Sequence, residues 1–127
     1  MTTFLQNIER LTLDNIYFRN VLHTTQHVQL VLMSINPGED IGMEVHEIVD
    51  QFLRIEAGEG KVILDGQERA IKSGDAIIVP AGTHHNIINT SGDKPLKLYT
   101  IYSPPHHKDK TIHKTKTEAE SDVGDHI

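Results

Sequence analysis

Gly74-Asp75-Ala76-Ile77-Ile78-Val79-Pro80-Ala81-Gly82-Thr83-His84-His85-Asn86-Ile87-Ile88-Asn89 is the stretch on which the fold turns. It reads as a turn, a buried strand over Ala76–Val79, a Pro-Gly turn, and a second strand entered at His85. A companion stretch lies upstream: Gly38-Glu39-Asp40-Ile41-Gly42-Met43-Glu44-Val45-His46, running on through Gln51 to Gly58. Each stretch sets metal-ligand side chains at a strand edge beside turn residues. Together they offer Glu44, His46, Gln51 and His85, a set suited to one divalent ion. A small β-barrel with a metal in its mouth is the expected outcome.

Outward from these stretches, most of the chain reads as strand. The candidates are Asn20–Thr24, His27–Ile35, Met43–His46, Gln51–Glu56, Lys61–Leu64, Gln67–Lys72, Ala76–Val79, His85–Asn89 and Leu96–Tyr102. Pro37-Gly38, Ala57-Gly58-Glu59-Gly60 and Ser73-Gly74-Asp75 punctuate them, and Asp65-Gly66 is a two-residue hairpin signal. Short strands with turns at this spacing predict an all-β sandwich or barrel. Residues 5–14 read as strand or irregular, because Leu13 and Ile16 break the helical spacing of Ile8, Leu11 and Asn15. Pro104-Pro105 stops the last strand, and the polar stretch beyond is expected to be disordered from about Lys116. The division is then an N-terminal arm over 1–18, a barrel over 19–103 and a C-terminal segment over 104–127.

With 127 residues and 37% apolar composition the chain has the bulk of one domain. Cysteine is absent, so a metal must take nitrogen and oxygen ligands. A formal charge of −6 argues against general nucleic-acid binding. No apolar run is long enough to cross a membrane as a helix, the start lacks a basic and apolar leader, and a cytoplasmic setting is expected.

Glu44 and His46 are two apart, so on a strand they share a face. His85 comes from a distant hairpin and is read as inward, with His84 outward. On spacing alone a Glu-x-His pair is ordinarily solvated; its companion segment is what raises it. Gly38, Gly58, Gly74 and Gly82 read as turn residues needing positive φ, and Asn89 as a turn-bonding side chain. Two neutral imidazoles and one carboxylate suit Fe(II), Mn, Ni, Co or Zn, with Gln51 adding a weak neutral oxygen. One carboxylate against a divalent ion leaves net positive charge, which favours an anionic or chelating ligand.

The pattern resembles the cupins, small double-stranded β-helix (jelly-roll) proteins. Their second motif, G-x5-P-x-G-x2-H-x3-N, is matched by Gly74, Pro80, Gly82, His85 and Asn89. Their first, G-x5-H-x-H-x3,4-E-x6-G, is matched by Gly38, His46 and Gly58, with Glu44 at the first His and Gln51 at the Glu. The resemblance implies a barrel of six to eight strands, metal ligands at Glu44, His46, Gln51 and His85, and a homodimer holding a small-molecule ligand. It leaves the reaction open. The expected activities are isomerase- or lyase-type chemistry on a sugar-like, keto-acid or hydroxy-acid substrate, or non-haem Fe(II) dioxygenation, or ligand binding without catalysis. Tyr102, His106 and His113 are candidate catalytic bases if the segment after the last strand folds over the mouth, with Lys114 as an anion binder.

Overall fold

The computed structural model describes residues 2–125. Helix α1 (Ile8–Asp14) precedes β1 (Arg19–Thr24), β2 (Gln29–Ile35), β3 (Asp50–Ala57), β4 (Glu59–Leu64), β5 (Gln67–Lys72), β6 (Ala76–Val79), β7 (His85–Asn89) and β8 (Leu96–Ser103). A short β9 (Ile112–His113), helix α2 (Lys116–Ser121) and a 3-10 turn (Val123–Asp125) follow. The strands form two antiparallel sheets, ordered β6-β3-β8-β2-β1-β9 and β5-β4-β7. This is the all-β jelly-roll barrel expected from the motifs.

Strand alternation explains both the core and its polar end. On β2 the inward residues are Gln29, Val31, Met33 and Ile35; on β3 they are Gln51, Leu53 and Ile55; on β8 they are Leu96, Leu98, Thr100 and Tyr102. Facing residues in an antiparallel pair lie on one side of the sheet. The register therefore stacks Ile55, Leu98 and Met33 in one row, and Leu53, Thr100 and Val31 in the next. The final row is Gln51, Tyr102 and Gln29. The apolar rows hold the sheets together, at about 1.5–3 kcal/mol for each fully buried aliphatic side chain. The Gln-Tyr-Gln row marks the end where polar chemistry is possible.

Three local expectations are corrected. Residues 8–14 are helical, because Asn7 caps the first turn by accepting from the Arg10 amide at 2.9 Å. Leu13 and Ile16, which spoil the apolar period, simply face solvent. Met43–His46 is no continuous strand. The chain here bonds to β7 at Ile41, before the segment, and next at Glu44, and the three-residue step breaks a period-two ladder.

The third correction concerns the C-terminal segment, which carries helix α2 and the 3-10 turn where disorder was expected. Thr115 caps α2 by accepting from the Glu118 amide at 3.1 Å, a Thr-x-x-Glu capping signal inside a polar run. Upstream, the main chain of this strap ties back to β1, with the Val21 amide donating to Thr111 O at 2.8 Å.

Candidate metal centre

Main-chain bonds zip the two motif stretches together. Glu44 and His85 exchange both N–H···O bonds at 2.8 Å, and the Gly82 amide donates to His46 O at 2.8 Å. Glu44 and His85 thus sit opposite one another, and His46 follows Glu44 onto the same side. One ligand atom from each of Glu44, His46 and His85 lies within 4.8 Å of the others, a group that could hold a metal ion. His46 and His85 are buried and Glu44 is part-exposed at the rim. His84 points outward and is exposed, as alternation predicts.

The nitrogen protonation states suit ligation. His85 Nδ1 lies 2.9 Å from Thr83 O, and a carbonyl only accepts, so Nδ1 carries a hydrogen, which in the neutral ring makes Nε2 the atom open to a metal. His46 Nε2 is buried without a hydrogen-bond partner, 3.8 Å from Glu44 Oε2. Burial, followed by the charges of His106, His85, His107 and Arg19, pushes the His46 pKa down to about 4. His46 is therefore neutral at pH 7, as a ligand must be.

Gln51 occupies the buried polar row beside Tyr102. Its Nε2 donates to Thr100 Oγ1 at 3.0 Å, and its Oε1 is buried with no hydrogen-bond partner. An orphaned buried oxygen is costly unless something meets it. Two buried atoms without hydrogen-bond partners, His46 Nε2 and Gln51 Oε1, fit the needs of a divalent ion with nitrogen and oxygen ligands.

A ring cluster closes over this group. His46 lies 4.3 Å from His106, 5.3 Å from His85 and 5.9 Å from Tyr102, centroid to centroid. Tyr102 stacks on His106 at 5.5 Å, and its hydroxyl is hydrogen-bonded to His107 Nε2 at 3.3 Å. Gln29 fastens the strap: Oε1 accepts from the His106 and His107 amides at 3.1 and 2.8 Å, and Nε2 donates to His107 O at 2.7 Å. The expected fold-back of this segment thus brings His106 beside His46, next to Tyr102 of β8.

His113 is differently placed. Its Nδ1 faces Arg19 Nη1 at 3.2 Å and its Nε2 faces Asp122 Oδ2 at 2.9 Å. With both ring nitrogens engaged, it does not fit the role of a general base. Lys114 is exposed on the strap, whereas Arg19 and Lys116, the latter ion-paired with Asp40, line a cavity together with Glu44. Asp40 is held in turn by Asn86 Nδ2 at 2.9 Å, next in sequence to His85. No spacing rule marks Arg19, Gln29 or Lys116; Arg19 and Gln29 could be suspected only as polar residues on inward positions of their strands.

The family model for the cupin domain matches residues 31–102. The chain is 51% identical over 122 residues to the uncharacterized protein YrkC of Bacillus subtilis, covering 91% of this chain and 65% of that protein. It thus spans just under two thirds of that relative's length. Among solved structures, BH2720 from Bacillus halodurans superposes with a TM-score of 0.91 at 45% identity, covering 94% of this chain and 95% of that one. A Thermotoga maritima protein described as a predicted oxalate decarboxylase superposes with a TM-score of 0.59 at 28% identity, covering 63% of this chain and 69% of that one.

Proposed function

Since this chain belongs to the cupin domain family, we propose that it is a metal-dependent enzyme of isomerase or lyase type, acting on a small oxygen-rich substrate such as a keto acid, hydroxy acid or open-chain sugar derivative. The observation that carries this reading is the convergence of Glu44, His46 and His85 within 4.8 Å, with His46 Nε2 buried and unbonded. Gln51 Oε1 is the fourth donor of the reading. The description of the Thermotoga maritima relative names oxalate, a compact dicarboxylate, which supports a small substrate rich in oxygen.

A divalent ion held there would supply Lewis-acid polarisation of a substrate carbonyl. The protein's own groups do the rest. Tyr102 and His106 carry the proton to or from the carbon beside that carbonyl. His107, bonded to the Tyr102 hydroxyl at 3.3 Å, sets its direction and takes up or returns its proton. The strap bearing His106 and His107 excludes bulk water from the mouth. The two-His, one-carboxylate set equally suits non-haem Fe(II), and oxygen uptake by iron-loaded protein separates that reading from isomerisation.

Elemental analysis of freshly purified protein is the direct test. His46→Ala and His85→Ala are each expected to lose the metal and melt at lower temperature, because bound metal stabilises only the folded state. His84→Ala and His23→Ala are expected to do neither. Full metal occupancy in all four variants would sink the assignment.

A further inference from the structure

Thr100 puts a hydroxyl into an otherwise aliphatic row of the core. The register sets it between Leu53 of β3 and Val31 of β2, with Ile77 and Val21 continuing the row on β6 and β1. Thr100, Leu53 and Val31 are all fully buried. Valine has nearly the shape of threonine and would fill this place with no polar atom to desolvate. A hydroxyl kept here needs a partner, and that partner is Gln51, whose Nε2 donates to Thr100 Oγ1 at 3.0 Å.

Gln51 lies opposite Tyr102, whose ring centroid is 5.9 Å from that of His46. A carboxamide is planar and its two ends diverge, so pinning one end on Thr100 fixes the direction of the other. The other end, Oε1, is buried with no hydrogen-bond partner among the described residues, as is His46 Nε2. A hydroxyl can both donate and accept, so Thr100 can hold either end of the amide. Only one arrangement serves a cation. The amide nitrogen has no lone pair to give, whereas the carbonyl oxygen is a metal ligand.

We propose that Thr100 is a positioning residue: its hydroxyl holds the Gln51 amide so that Oε1 is presented to an ion at the Glu44–His46–His85 group. Metal affinity then depends on a side chain that touches no metal. This rests on the metal-centre reading above. A neutral amide has a single oxygen and no charge to draw the ion, so its direction matters more than that of a carboxylate, which has two oxygens to offer.

The test uses the full chain, stripped of metal and titrated with Zn²⁺ against a competing chelator. Thr100→Val keeps the shape and loses the hydroxyl; Thr100→Ser keeps the hydroxyl and loses a methyl group. Thr100→Val is expected to bind Zn²⁺ roughly tenfold more weakly than the parent, ~1.4 kcal/mol, and Thr100→Ser to stay within about threefold of it. A role in packing alone gives the reverse order, with Thr100→Val intact and Thr100→Ser impaired, and that order overturns the proposal. NMR of the unaltered protein gives a readout that needs no variant to fold. On saturation with Zn²⁺ the Gln51 side-chain carbonyl carbon is expected to shift, while its Nε2 hydrogens stay slow to exchange. An unmoved carbonyl resonance, or Nε2 hydrogens that exchange freely, overturns the proposal. Failure of the parent to take up Zn²⁺ sinks the metal-centre reading and this inference with it. Zinc uptake with equal affinity in the parent and Thr100→Val sinks the inference alone.

Discussion

At the scale of single residues, the exchange of roles between Glu44 and Gln51 governs the electrostatics of the centre. The carboxylate sits at the rim on the segment paired with β7, and the deep position on β3 carries a neutral amide. Gln51→Glu is expected to tighten metal binding by roughly tenfold or more, about 1.4 kcal/mol, because a charged oxygen replaces a neutral one. Metal titration of both forms checks this, and equal affinity would remove Gln51 Oε1 from the ligand set. Gln51 was legible from strand alternation on β3, and Glu44 from the motif spacing alone, since its segment is no continuous strand. Arg19 was not legible. Its inward position follows from alternation once β1 is known, but its partner His113 lies 94 residues away, and only the folded strap brings the two together.

At the scale of elements, the strap after β8 shows how a polar segment becomes ordered without a large apolar face. Gln29 satisfies the His106 and His107 amides and the His107 carbonyl from inside the barrel. Gln29→Ala would leave those buried groups unmet and is expected to cost roughly 2–4 kcal/mol. Hydrogen exchange at the His106 and His107 amides is expected to quicken, with metal content retained; unchanged exchange would contradict the clamp. Composition alone pointed to disorder here, because polarity reports the lack of a core and says nothing of partners waiting elsewhere. The same blindness affected α1, whose stability draws on the Asn7 cap and on Lys97 Nζ donating to Leu13 O and Asn15 O at its C-terminal end. Lys97 belongs to β8, far along the chain, and no local window contains it.

At the scale of the whole molecule, Asp40 joins the motif segment to the C-terminal helix. The Asn86 amide, then the Lys116 ammonium, hold its carboxyl below the usual carboxylate range. An acid whose folded pKa is depressed takes up its proton more readily when unfolded. Its stabilising contribution is therefore complete above the unfolded value of 3.8 and is lost as the pH falls through the lower folded value. Asp40→Asn is accordingly expected to be less stable than the parent at neutral pH, with the gap closing in acid. Denaturant melts at pH 7 and pH 3 check this, and a pH-independent gap would show that the carboxylate's charge is not what secures α2. The β-barrel class was readable from turn spacing because most strand ends carry their own local signal, whereas this tie between distant segments carries none.

The Glu44–His85 main-chain exchange has a consequence for how such proteins diversify. The Glu44 and His85 side chains of the candidate metal group hang from main-chain bonds that do not depend on side-chain identity, so the groups offered there are decoupled from the pairing itself. Imidazole and carboxylate could be exchanged at these two rungs without touching the main-chain bonds that hold the architecture.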